Sequence, residues 1–406
     1  MVLPASKSIS NRALVILALG KKNAGEEAKL ENISDCDDTF VMTRALTHMP
    51  DTIDIMAAGT AMRFLTALLS VKEGEAHTIT GTERMRHRPI GVLVDALRAL
   101  GADVAYAEEE GYPPLYIKGK QLAGGCLSLP GSVSSQYVSA LLMIGPMMQE
   151  GLQLQLTGNI VSRPYIDMTL SIMRSFGAEA GWESESAIRV AGKPYEPTPY
   201  YIESDWSASS YWYEMVALSQ DAGARIVLPG LFEESLQGDS EVRHIFEHLG
   251  VATTFVRATE ADGVGSVVLT KSGRCVERLE MDMGNQPDLA QTVVVACAML
   301  GVPFRLTGLQ SLKIKETDRI AALICELGKL GYVIHEADDS ILWWDGERCD
   351  TAAEVAIDTY EDHRMAMAFA PCALCREGIV INHPEVVSKS YPHYWDDLEL
   401  IFNTTL

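Results

Sequence analysis

Six short stretches carry cations, hydroxyls and amides of the kind that hold an anion, and each stands where a helix should begin. They are Pro4-Ala5-Ser6-Lys7-Ser8-Ile9-Ser10-Asn11-Arg12, Ala57-Ala58-Gly59-Thr60-Ala61-Met62-Arg63, Arg84-Met85-Arg86-His87-Arg88-Pro89, Gly131-Ser132-Val133-Ser134-Ser135-Gln136, Lys313-Ile314-Lys315-Glu316-Thr317-Asp318-Arg319 and Thr359-Tyr360-Glu361-Asp362-His363-Arg364. The first N–H groups of a helix and its dipole favour negative charge. Lysine and arginine beside them add charge-assisted hydrogen bonds. One such start reads equally well as a serine cap with surface cations. Six in one chain predict phosphate or carboxylate ligands, bound in a cleft where helix N-termini converge.

These cations stand in an acidic chain. Its 406 residues include 55 acidic and 33 basic ones, a net charge of −22. A surface that tracks nucleic acid is basic, so a nucleic-acid partner is not expected. A small anion is compatible with this charge, because a local basic cleft focuses its own field inside an acidic shell. Most of the eight cysteines lie in apolar runs such as Val293-Val294-Val295-Ala296-Cys297-Ala298-Met299-Leu300, which predicts buried thiols in a reducing, cytoplasmic compartment. The pair Cys372 and Cys375 has no second pair to complete a zinc site, so no metal is expected. No apolar run reaches the roughly 18–20 residues that cross a bilayer, so no membrane is expected. No basic segment precedes the apolar residues 13–19 in the manner of a signal peptide. Met1-Val2-Leu3 reads as the tail of an apolar strand that starts further upstream.

The elements that must position these residues recur. An amphipathic run that ends in an apolar residue and a glycine appears at Arg88 to Gly101, Arg163 to Gly177, Val242 to Gly250 and Thr317 to Gly331. The glycines are spaced 76, 73 and 81 residues apart. Weaker copies stand at Asp37 to Leu46 and Tyr394 to Ile401. Each copy reads as a helix with a glycine stop. A short strand should follow, as at Tyr332-Val333-Ile334, and a β-rich stretch precede, as at Ala76 to Gly81. The period exceeds the ~20–50 residues of a solenoid, so about five or six copies of a small α/β unit are expected, grouped into domains. Prolines at 194, 197 and 199 place a linker at 195–204, and apolar helices are expected at 13–19, 211–218 and 365–374.

Those phrases, with Ser162-Arg163-Pro164-Tyr165 and Asp362-His363-Arg364-Met365-Ala366-Met367, occur in one order over 3–393. In that order the chain resembles the 5-enolpyruvylshikimate-3-phosphate (EPSP) synthases of the enolpyruvyl transferase family. Members of that family begin earlier, with a strand. The resemblance implies an α/β (α+β) fold: a two-domain inside-out barrel of six β-α-β-α-β-β units, three per domain, with a hinge and an interdomain active-site cleft. It places one domain at 7–202 and the other at 1–6 plus 203–406. It also implies transfer of the enolpyruvyl group of phosphoenolpyruvate to the 5-hydroxyl of shikimate 3-phosphate, releasing phosphate through a tetrahedral intermediate. No cofactor is implied, and a monomer is expected.

By the same resemblance, Lys7, Ser134, Ser135 and Ser162 hold the phosphate of shikimate 3-phosphate. Ser8, Arg12, Gln136, Tyr165, Asp288, Ser311 and Lys315 surround the rest of it. Phosphoenolpyruvate falls to Lys7, Gly59, Arg63, Arg84, Gln136, Arg319, Arg364 and Lys389. Glu316 is the implied general acid and Asp288 the base, with Lys7 and His363 assisting. Asp318 and Asp362 orient their neighbours, and Asp38 is a helix-start acid. Taken as residues alone, Glu316 reads equally as a cap partner and Asp288 as part of a Pro-Asp turn. The chain departs from the family's Asn-Ala-Gly-Thr phrase by carrying Ala57 in place of asparagine, while Gly59, implied to admit glyphosate, is kept. The rival readings are the sister transferase acting on UDP-N-acetylglucosamine and an anion-binding homologue without turnover. The cysteine loop of the first is not evident, and the acid and base that the second would lack are present.

Overall fold

A computed structural model describes residues 1–20, 29–257 and 264–404 of the chain. The chain divides into two compact units, Ala5–Ile202 and Met1–Pro4 with Glu203–Leu406. The first break therefore falls after residue 4, where 6 was expected. The Pro4 carbonyl accepts from Asp205 N at 2.9 Å, whereas Ser6 caps a helix of the other unit.

Three stretches repeat the same cycle of strand, helix, strand, helix and two further strands. In the first, Thr52–Asp54 and Ala76–Thr80 run parallel, Leu115–Lys118 pairs antiparallel with the second strand, and Asp103–Tyr106 closes the sheet. The strands Gly125–Pro130, Leu152–Thr157, Ala187–Val190 and Ala180–Trp182 repeat this order, and so do Leu279–Asp282, Phe304–Thr307, Ile341–Trp344 and His335–Ala337. The other described sheets hold fewer strands: one of three and two of two. The complete cycle therefore occurs three times among the described residues. The apolar side of each unit is made by buried helices such as Gly59–Ser70, Ser135–Ile144, Trp206–Leu218 and Ala290–Leu300.

The repeated helices are Gly91–Ala99, Arg163–Ser175, Val242–His248 and Arg319–Lys329. Each is followed by its glycine at positive φ, between +77° and +95°. Several boundaries differ from expectation. The helix expected at 13–19 begins at Lys7, because the Ser6 hydroxyl accepts from Ile9 N at 3.4 Å and caps it six residues earlier. Residues 7–12 of the first cation-bearing phrase are therefore helical. The helix expected at 211–218 begins at Trp206, since the Asp205 carboxylate accepts from Ser207 N and Ala208 N. The helix expected at 365–374 spans His363–Phe369 and then tightens into a 3-10 turn, Ala370–Leu374. Pro371 has no N–H to donate back to Met367, whose carbonyl accepts from the Tyr394 hydroxyl at 3.0 Å instead. The strand expected at Tyr332 starts at His335, and Tyr332 makes only an isolated bridge to Arg348.

The cysteine expectation needs correction. Cys36, Cys297 and Cys372 are buried, but Cys126, Cys275, Cys325, Cys349 and Cys375 are exposed. Cys126 lies on a strand whose alternate residues face outward, Cys275 at the exposed end of another strand, and Cys349 and Cys375 beyond element ends; Cys275 and Cys349 also stand beside arginines and not in apolar runs.

Candidate functional site

In the unit Ala5–Ile202 the cations rest largely on neutral groups. Arg12 lies in the second turn of the helix Lys7–Leu19 and is 2% exposed. Its Nε donates to Thr169 Oγ1 at 2.7 Å, Nη1 to the Ser8 carbonyl at 2.8 Å and Nη2 to Ser139 Oγ at 3.3 Å. It stacks 5.3 Å from the centre of the Phe64 ring. Burial lowers its pKa to about 10, as expected of a guanidinium solvated by hydroxyls and a carbonyl alone. Lys7, one turn earlier, lies 3.3 Å from the Asp38 carboxylate, at the start of the helix Asp37–His48.

Arg63 is held in the same manner. Its Nη1 donates to the Gly59 carbonyl at 3.0 Å and Nη2 to the Pro89 carbonyl at 3.4 Å, which also accepts from the Tyr137 hydroxyl. A Cβ on Gly59 would lie 2.7 Å from Arg88 Nη1 and 3.0 Å from Arg63 Nη1. Two guanidinium groups thus close over this glycine. Arg88 was not among the expected ligands: three arginines in five residues gave no periodicity to show which one faces Gly59. Gln136 Nε2 donates to Thr60 Oγ1 at 3.2 Å, which joins two of the helix starts. Ser134 caps the helix Ser135–Ile144. Ser162 is buried with φ +54°, a strained state for a residue with a side chain, immediately before the helix that carries Tyr165. Arg84 lies exposed on the one-turn helix Glu83–Arg86.

In the other unit the cations meet carboxylates. Arg319 is 1% exposed. Its Nε donates to Asp362 Oδ2 at 2.7 Å, Nη1 to Asp288 Oδ1 at 3.1 Å and Nη2 to Glu316 Oε2 at 3.1 Å. Arg364 Nη2 donates to Asp288 Oδ2 at 3.1 Å, and Nη1 to the Asp288 carbonyl at 3.1 Å. Lys315 lies 3.3 Å from Asp288 Oδ1, and Lys389 donates to Glu316 Oε1 at 2.8 Å. Three carboxylates and four cations form one connected network. It draws on the start of the helix Arg319–Lys329, the turn Pro287–Leu289, the helix His363–Phe369 and the turn Pro384–Lys389.

Local structure aims these groups. Asp318 caps the Arg319 helix by accepting from Ala321 N at 3.1 Å. Asp362 caps the helix that carries Arg364, accepting from Arg364 N at 2.9 Å, and also grips Arg319. His363 is buried with Nδ1 3.6 Å from Asp362 Oδ1. Tyr360 and Glu361 both take positive φ just before this cap, a strained approach that the Asp362 contacts hold in place. Ser311 is partly buried, and its Oγ has no hydrogen-bond partner among the described residues.

The electrostatics follow from the partners. Burial alone would raise the Asp288 carboxyl, but Arg364, Lys315 and Arg319 outweigh it and hold the group well below its ordinary value. Burial alone would lower Arg319, and Asp362, Glu316 and Asp288 outweigh that in turn, so it is raised. Asp239 stands beside this network and was missed in the sequence. It is 3% exposed and accepts from the Ser207 hydroxyl. Burial, with the nearby charge of Asp288, pushes its carboxyl up to about 7. Gln237-Gly238-Asp239 carries no spacing that separates it from an ordinary acidic turn.

A family profile described as EPSP synthase (3-phosphoshikimate 1-carboxyvinyltransferase) matches residues 49–398. A Bacteroides fragilis protein named 3-phosphoshikimate 1-carboxyvinyltransferase is 59% identical over 396 residues, covering 98% of this chain and 93% of its own. A Vibrio campbellii protein of the same name is 35% identical over 427 residues, covering 98% and 96%. Among solved structures, EPSP synthase from Acinetobacter baumannii superposes with a TM-score of 0.77 at 23% identity, covering 98% of this chain and 94% of its own, a likeness of fold.

Proposed function

We infer the function from one premise: the chain belongs to the EPSP synthase family. It transfers the enolpyruvyl group of phosphoenolpyruvate to the 5-hydroxyl of shikimate 3-phosphate and releases phosphate, a step toward aromatic amino acids. Its substrates are these two polyanions. We further propose that it works as a cytoplasmic monomer. Among the described residues no helix is long and apolar enough to cross a membrane.

We propose the following division of labour. Shikimate 3-phosphate is bound by Lys7, Ser134, Ser135 and Ser162 at its phosphate, and by Ser8, Arg12, Gln136, Tyr165, Ser311 and Lys315 elsewhere. Phosphoenolpyruvate is bound by Lys7, Gly59, Arg63, Arg84, Gln136, Arg319, Arg364 and Lys389. Asp288 takes the proton of the 5-hydroxyl as that oxygen attacks carbon 2 of phosphoenolpyruvate. Glu316 gives a proton to carbon 3, with Lys7 and His363 assisting. Loss of a carbon 3 proton and of phosphate from the tetrahedral intermediate restores the double bond. An acid and a base on separate groups suit a reaction that must do both at once.

The observation that supports this reading is the bonding of Asp288 and Glu316 to the cations assigned to phosphoenolpyruvate, Arg319, Arg364 and Lys389. The incoming polyanion competes for those cations and loosens their hold on both carboxylates, so binding itself readies the acid and the base. Asp288 stays ionised, and as a weak base it accepts the proton while the new C–O bond forms, not before. The test is phosphate release from phosphoenolpyruvate with shikimate 3-phosphate or UDP-N-acetylglucosamine as co-substrate. Release with shikimate 3-phosphate alone is expected. Release only with the sugar nucleotide, or with neither, overturns the reading.

A further inference from the structure

We propose that a cavity in the unit Glu203–Leu406, lined by none of the residues assigned above, binds a small anion with a flat apolar body, such as an aromatic carboxylate. Its volume is about 540 Å³, within the range of small-molecule sites. Met299, Leu330 and Tyr332 supply apolar wall, and Arg348 and Arg376 supply charge. Cys349 and Cys375 also line it, which makes occupancy measurable.

The chain builds this cavity at the end of the helix Arg319–Lys329. Gly331 turns the chain with φ +89°, and a Cβ there would lie 3.1 Å from the Cys349 carbonyl, so glycine lets the two segments meet. Cys349 N donates to the Gly331 carbonyl at 3.0 Å, and Thr351 Oγ1 to the Lys329 carbonyl at 2.7 Å. Arg376 Nη1 donates to Thr351 Oγ1 at 2.8 Å and Nη2 to the Ala352 carbonyl, which fixes the guanidinium at the wall. Arg348 lies 3.9 Å from the centre of the Tyr332 ring and 6.0 Å from that of Trp344.

What marks the place is the partnering of these two arginines. Among the described residues neither meets a carboxylate at ion-pair distance, and the Arg348 side chain makes no hydrogen bond. The chain carries 55 acidic residues to 33 basic ones. In the same unit Arg278, Lys313 and Lys329 each hold two carboxylates. Two arginines line the cavity and no carboxylate does, and both arginines keep donors to spare. A guanidinium stacked on an aromatic ring keeps its N–H edge available for a carboxylate. Inorganic phosphate would satisfy the charge but leave Met299, Leu330 and Tyr332 wet, so the apolar wall selects a ligand with a ring.

The test is calorimetric titration of the full chain with 4-hydroxyphenylacetate. The comparisons are 4-hydroxyphenylacetamide and inorganic phosphate, with Arg348→Met and Arg376→Met as variants. The acid should bind saturably and at least about tenfold tighter than the amide, and each variant should weaken it by about fivefold or more. Bound acid should slow alkylation of Cys349 and Cys375 by iodoacetamide. Both variants should keep wild-type turnover, which also shows that they fold. Absence of saturation, binding that both variants leave intact, or thiols that the acid fails to protect would each overturn the site. Phosphate that binds as tightly and protects as well would overturn the aromatic-carboxylate assignment.

Discussion

The two units hold their buried arginines by different chemistry. In Ala5–Ile202, Arg12 and Arg63 lean on hydroxyls, carbonyls and aromatic faces. In the other unit, Arg319, Arg364 and Lys389 lean on Asp288, Glu316 and Asp362. Neutral partners fix a guanidinium without cancelling its charge, which suits a cradle for a phosphate or carboxylate. Carboxylate partners cancel the charge and are themselves tuned by it, which suits proton transfer. On the proposed assignments, one vocabulary of arginine and lysine serves both tasks: Arg12 and Arg63 keep their charge beside neutral partners, whereas Arg319, Arg364 and Lys389 bind phosphoenolpyruvate and also hold the acid and the base.

The largest expected effect breaks the acid–base side. Glu316→Gln and Asp288→Asn should each lower phosphate release by about 10²-fold or more, with shikimate 3-phosphate affinity largely kept. Near-normal turnover in both variants would remove the proposed distinction between the units.

Stability gives the next test. Asp362→Ala leaves Arg319 buried with one anchor gone, and should cost about 3–5 kcal/mol in denaturant unfolding, as loss of one partner of a buried pair does. Thr169→Val removes a neutral partner of Arg12 and should cost about 1–3 kcal/mol. Equal losses would show that the partner's charge does not set the energetics.

Asp239 sharpens the comparison through pH. Its carboxyl rises from 3.8 to about 7 in the folded chain. The folded state therefore binds more protons between these values. Its stability contribution is full below about pH 4 and is lost as pH rises through 7. Asp239→Asn abolishes this titration, so thermal unfolding should show the variant gaining on the wild type from pH 5 to pH 8. A constant difference across that range would mean that Asp239 does not titrate there. Asp288, held low, has the opposite sign: its contribution is present above its unfolded value and fades only as strong acid protonates it.

The smallest effect concerns the cradle. Gly59→Ala should leave the fold intact, since the Cβ meets side-chain ends and no backbone: Arg88 Nη1 at 2.7 Å and the anchored Arg63 Nη1 at 3.0 Å. It should raise the KM for phosphoenolpyruvate several-fold and blunt inhibition by glyphosate, to which the wild type is expected to be sensitive. A wild-type inhibition curve flat into the millimolar range, or a variant with unchanged KM, would refute this role for the glycine.

Much of this was legible in one dimension. The spacing of Gly101, Gly177, Gly250 and Gly331 exposed the repeat, because each glycine ends a helix in a conformation that other residues resist. The order of the cation-bearing phrases pointed to the family, because helix starts, hydroxyls and charges are local features. Boundaries were less legible. Ser6 captured a helix six residues before the apolar run suggested, and Pro371 ended one whose apolar pattern continued.

By itself, then, the sequence determined the repeat, the family and the residue types available for chemistry, all of which depend on local pattern. Only the tertiary structure decided which counter-group each cation meets, that Asp239 stands beside Asp288, that Arg88 joins Arg63 over Gly59, and that Arg348 and Arg376 flank a cavity without an acid. Those facts depend on residues tens of positions apart coming within a few ångströms. Both charge cancellation and the displacement of a pKa are set at that distance.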